Sequence, residues 1–160
     1  LYQPEDLVII DYNEVGTAML QDAVHARASW LAEEGNEDIA TRFLAGVFKG
    51  WAFCRDNPEE CVQFTVDAGS TLGLGHQRWM MNEINPLIWP SPDGIGSMPV
   101  DTYETTVQIM VDAGLISEAP GDDAWRSDLT EAAWALVGED VDLFGEGFAK
   151  GEVEVTPGGE

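Results

Sequence analysis

A chain of 160 residues with 44% hydrophobic content, six Trp and six Phe is long and apolar enough for a domain with a real core, so disorder explains it poorly. Its 30 Asp and Glu against 7 Lys and Arg give a formal net charge of -23, which leaves no basic patch for phosphate backbones or anionic lipid and sets nucleic acid aside as a partner. The acids are scattered rather than run together, the pattern of a solvated surface of the kind that suits a salt-adapted protein. No apolar run approaches the roughly 20 residues of a membrane span, so no membrane insertion of this segment is expected. No signal pattern opens the chain, there is no initiator Met, and an apolar segment begins close to Leu1. The expectation is the C-terminal portion of a longer precursor whose export signal lies outside this sequence.

The first element, Leu7 to Ile10, is an apolar run that reads as a strand and stops abruptly at Asp11, Tyr12, Asn13 and Glu14 before Val15 and Gly16. Residues 16–27 have mixed character, either a short helix or a glycine-hinged crossing with a strand at "AVHARA"; the crossing is the preferred reading. A helix follows from Asn36 as N-cap, with acids in its first turn and a stripe of Ile39, Phe43, Val47 and Trp51 widened by Leu44, Phe48 and Phe53. "RDNP" ends it and opens a second helix, with Asn57 as N-cap, Pro58 at the first helical position and Gly69 as C-cap. A third runs from about Gln77 to Ile88, where Pro86 stops or kinks the last turn. After the Pro- and Gly-rich loop "WPSPDGIGSMP", Asp101 caps a fourth helix whose Tyr103, Val107, Met110 and Val111 share a face before Gly114 closes it. "SDLTEAAWALV" reads as a fifth, and the tail "GEVEVTPGGE" as a frayed end. One strand makes no sheet, so its partners are expected from elsewhere.

The chemistry legible in these residues is sparse. His25 and His76 stand far apart and in no zinc-like spacing, and there is no nucleophile elbow, Walker loop or HExxH, so no metal, cofactor or catalytic residue is expected. The glycines of "GSTLGLG" follow no strand and read as an interhelix turn. Cys54 and Cys61 bracket a short helical corner and can either form a disulfide or pack as two small apolar side chains. If the strand lies in a parallel sheet, its carboxyl end faces a ligand crevice: Tyr12 could stack on a flat ring, Asn13 donate and accept, and Asp11 and Glu14 accept from amines or hydroxyls. The competing reading is a plain turn in which Asn13 bonds the local backbone and Glu14 faces water.

The runs "DLVIIDYNEVGTAMLQD", "RFLAGVFKGWAFCRDNPEECV" and "GHQRWMMNEINPLIWPSPDGIGSM" resemble the C-terminal half of ABC-transporter solute-binding proteins of the NMT1/THI5-like group, related to nitrate, sulfonate and taurine binding proteins. The resemblance spans about Leu7 to Leu115 and weakens beyond it. It implies an α/β, two-lobed type II periplasmic-binding fold, of which this chain is the mostly helical C-terminal portion: residues 1–18 the end of the second lobe, 19–115 a return crossing and helices of the first, 116–160 a terminal helix and tail. It implies capture of a small nitrogen heterocycle, similar to a thiamin-pyrimidine precursor, in an interlobe cleft, with Asp11, Tyr12, Asn13, Glu14 and Gly16 near the ligand. Delivery to an ABC permease, and a periplasmic or cell-surface lipoprotein location, are implied with it. Two alternatives stand beside it: a related enzyme of thiamin-pyrimidine synthesis, whose cysteine-rich motif has no counterpart here, and an acidic helical interaction module.

Overall fold

The computed structural model describes residues 4–69 and 71–160. Among them there is no β-strand; the regular elements are helices α1 (Ala28–Leu31), α2 (Asn36–Asp56), α3 (Pro58–Ala68), α4 (Leu74–Ile88), α5 (Val100–Asp112) and α6 (Asp128–Val137), with short 3-10 turns at Pro4–Asp6 and Pro157–Gly159. The expected α/β two-lobed fold is therefore overturned: the described chain is helical, and no sheet exists for Leu7–Ile10 to join. Those residues take no regular structure and stand 57%, 92%, 82% and 70% exposed. The physical reason is that a strand is a paired state. Its backbone hydrogen bonds need a neighbour, and an apolar run without one has only local strand propensity to hold it. Residues 17–27 likewise carry neither helix nor strand, so "AVHARA" is not a strand.

The chain divides into two compact units. One combines Leu1–Ala28 with Met98–Arg126. Its helix, α5, starts after Pro99, and Asp101 sits in the first turn rather than at the cap, where its charge still complements the helix N-terminus. The reversal after α5 uses Gly114 at φ 66, with Leu115 N–H donating to the Met110 carbonyl at 2.9 Å. The early segment is fastened to α5 by the Leu20 N–H, which donates to Thr106 Oγ1 at 3.0 Å.

The other unit combines Ser29–Ser97 with Ser127–Glu160 and holds the main core. Here α2 lies along α6, and α3 packs on α4. The buried face of α2 is Thr41, Ala45, Phe48 and Ala52, while Ile39 and Phe43, expected on the core stripe, are 46% and 58% exposed. Small side chains decide this. Ala45 and Ala52 on α2, with the fully buried Ala133 on α6, allow closer approach of the two backbones than a phenylalanine ridge would. Trp89, Ile95, Val137 and Leu143 complete the core, so the Pro- and Gly-rich loop is part of it rather than a surface connection. Ser91 N–H and Ile95 N–H donate to the carbonyls of Phe144 and Leu143 at 2.8 and 3.0 Å, and the Trp134 indole donates to the Ile95 carbonyl at 2.8 Å.

Helix boundaries follow the chain chemistry with some shifts. Gly35, at φ 86, occupies the N-cap of α2; Asn36 is the first helical residue and is buried, its side-chain amide donating to the Trp30 carbonyl at 2.7 Å. At the α2–α3 corner Asn57 precedes Pro58, and the two helices are joined by a Cys54–Cys61 disulfide with Cα atoms 5.5 Å apart. Pro86 lies inside α4, which continues to Ile88. The tail is not frayed. Its Gly159 carbonyl lies against Gly73, and a Cβ on Gly73 or Gly75 would collide with residues 156–160, so the glycines at the start of α4 seat the tail.

Candidate functional site

The residues expected to meet a ligand, Asp11, Tyr12, Asn13, Glu14 and Gly16, come together in one ordered turn. Asp11 organises it: its Oδ1 accepts from the Asn13 backbone N–H at 2.8 Å and from the Asn13 side-chain amide at 3.0 Å. Three backbone bonds close the turn, from Val15 N–H to Asp11, Gly16 N–H to Asn13 and Thr17 N–H to Tyr12, at 3.2, 3.3 and 2.9 Å. Gly16 leaves it at φ 73, a conformation that costs a side-chain-bearing residue energy. The bonds from Asn13, backbone first and side chain second, hold the Asp11 carboxyl below its ordinary value of 3.8.

The turn does not line a crevice. All five residues are exposed, Tyr12 by 67%, because the described residues form no sheet whose strand ends could wall them in. One N–H of the Asn13 amide is committed to Asp11, while the Tyr12 ring and the Glu14 carboxylate are open to a ligand. The turn can therefore offer a pre-set aromatic face beside an acceptor, and it cannot by itself enclose a solute.

Two grooves lie elsewhere, one in each unit. In the larger unit a groove of ≈ 500 Å³ runs between α6 and the following loop, bounded by Trp134, Val141, Asp142 and Phe144. In the smaller unit a groove of ≈ 370 Å³ lies between α5 and residues 119–125. Sequence reasoning placed Tyr103 and Val107 on one helical face but missed Trp125, whose ring meets that of Tyr103 at 6.1 Å between centroids and 58° between planes. The signal was available in "PGDDAW": a turn sequence that ends on a large aromatic must deliver it somewhere.

His25 and His76 are exposed and far from one another in sequence, and His76 stacks on Trp79 at 6.0 Å. Among the described residues no group of three or more His, Cys, Asp and Glu side chains is arranged to hold a metal ion, and no helix is long and apolar enough to cross a membrane. Comparison with known protein families, with curated proteins and with solved structures finds no match to this chain.

Proposed function

We propose that this chain belongs to a solute-binding protein that captures a small nitrogen heterocycle against Tyr12 and passes it to an ABC permease. The observation that carries the reading is the ordered, outward-facing turn: five hydrogen bonds among Asp11 to Thr17 fix the backbone beneath an aromatic ring left open to solvent, at a stretch where the sequence resembles solute-binding proteins. An aromatic face held in place before binding loses little conformational freedom on stacking a flat solute. The Cys54–Cys61 disulfide supports the accompanying location outside the cytoplasm, in the periplasm or at the cell surface, because such bonds persist in oxidising compartments. The two-lobed α/β architecture is no part of this reading.

The test is calorimetric titration with an aminopyrimidine bearing a hydroxymethyl group. Tyr12→Ala should weaken binding by about tenfold or more while thermal melting stays close to wild type, since the ring is exposed. Glu14→Gln keeps the shape but replaces a pure acceptor with a mixed group and should also lower affinity. Unchanged affinity in both variants would contradict the proposal.

A further inference from the structure

The groove of the smaller unit has the chemistry of a receptor for a different class of solute. Its first wall is one face of α5, where Val100, Tyr103 and Val107 recur at helical spacing with Glu104 one position beyond Tyr103. Its second wall is the chain returning after Gly114, which places Pro120, Asp122 and Trp125 opposite that face. The Ala124 N–H donates to the Gly121 carbonyl at 3.0 Å, which sets the turn that carries Trp125 inward. The two rings meet at 6.1 Å and 58°, so they form two sides of a corner rather than a closed stack.

We propose that this corner binds a small flat organic cation, such as a quaternised nitrogen heterocycle. Two features select that class together. The faces of Tyr103 and Trp125 carry the negative lobes of their quadrupoles and attract a cation that has shed part of its water. Glu104 and Asp122 flank them, no Lys or Arg lines the groove, and neither carboxylate has a hydrogen-bond or ion-pair partner among the described residues. An anionic ligand is repelled there, and a neutral ring gains only the apolar contact. The groove volume of ≈ 370 Å³ suits a ligand of one or two rings. This site stands apart from the Tyr12 turn in its residues and its ligand, so either can fail without the other.

The experiment is a titration of ¹⁵N-labelled protein with 1-methylpyridinium, following the indole N–H signals of its six tryptophans, with Trp125 assigned by its loss in Trp125→Phe. The Trp125 signal should move saturably, benzoate should leave it in place, and toluene should move it much less. Tyr103→Ala should weaken the response by about tenfold. Glu104→Gln alters only an exposed rim residue, so it tests the charge contribution with the fold intact; it should weaken binding about threefold with an unchanged melting temperature. Equal shifts at Trp125 and at the core residues Trp89 and Trp134 would mean diffuse attraction to an acidic protein and overturn the proposal. So would an equal response to toluene, the mark of a seat for an apolar side chain of another protein, or full retention of binding in Glu104→Gln and Tyr103→Ala.

Discussion

Arg55 is the residue on which the larger unit closes. Its side chain is only 8% exposed, its guanidinium lies 4.6 Å from the centroid of the Trp89 ring, and its Nη1 donates to the Asp142 carbonyl at 2.9 Å while Nε and Nη2 bridge to Asp56 at 2.7 and 3.0 Å. The Asp56 hydrogen bonds lead in raising its pKa further above its already high ordinary value, so it stays charged wherever the protein folds. Both carboxylates are more than half exposed, so water screens the ion pairs; the larger loss on truncation is the stacked face of Trp89 and an unpaired carbonyl. Arg55→Leu should cost about 2–4 kcal/mol in urea unfolding, and Arg55→Lys most of that, because an ammonium cannot reproduce the planar fork. Asp142 works from the other side: its Oδ1 accepts from the Gly145 and Phe144 N–H groups, each at 2.9 Å, which together with Arg55 depress its pKa. A depressed carboxyl stabilises the fold above its ordinary pKa of 3.8 and loses that contribution as pH falls through its lower folded value. Wild type should therefore melt above Asp142→Asn near neutral pH, with the gap closing as the pH drops below 3.8; a gap that is constant with pH would refute the charge account.

At the scale of elements, the α2–α3 corner is held twice, by helix grammar and by the Cys54–Cys61 bond. The bond closes a loop with a sequence separation of 7, so Cys54→Ala with Cys61→Ala should cost about 2–3 kcal/mol by denaturant unfolding. This corner was also the most legible part of the sequence, because Asn57, Pro58 and Gly69 signal α3 through constraints local to each residue. The face of α2 was not legible. A stripe through Ile39 and Phe43 satisfies helical spacing as well as the true one through Ala45, Phe48 and Ala52, and the choice belongs to Ala133, distant in sequence. The Arg55 clamp was hidden for the same reason, since Asp142 and Trp89 mean nothing to Arg55 until α2 and the 142–145 turn are brought together. Leu7–Ile10 shows the opposite failure. Its local pattern is that of a strand, yet local pattern fixes no hydrogen-bond partner, and the described chain supplies none. The candidate turn was legible as a cluster of polar residues around Tyr12, but its openness was not, because exposure depends on what surrounds it.

For the molecule as a whole, a net charge of -23 sets the conditions under which both units are most stable. Carboxylates crowd a surface that only 7 Lys and Arg side chains relieve, and the compact state brings them closer together than the unfolded chain does. Raising sodium chloride from about 0.05 M to about 1 M shortens the screening length from more than 10 Å to about 3 Å and should raise the melting temperature steadily. A flat or falling curve would mean that the ion pairs of Arg42, Arg55, Arg78 and Lys150 outweigh the repulsion. The same acidity bears on the proposed function, since it disfavours anionic ligands and favours neutral or cationic solutes. The central claim is that the Tyr12 turn holds such a solute, and mass spectrometry of small molecules released from natively purified protein tests it most directly. The account predicts that a nitrogen heterocycle accompanies the wild-type protein and is lost from Tyr12→Ala; the same heterocycle in equal amount from both, or none from wild type supplied with an aminopyrimidine, would contradict it.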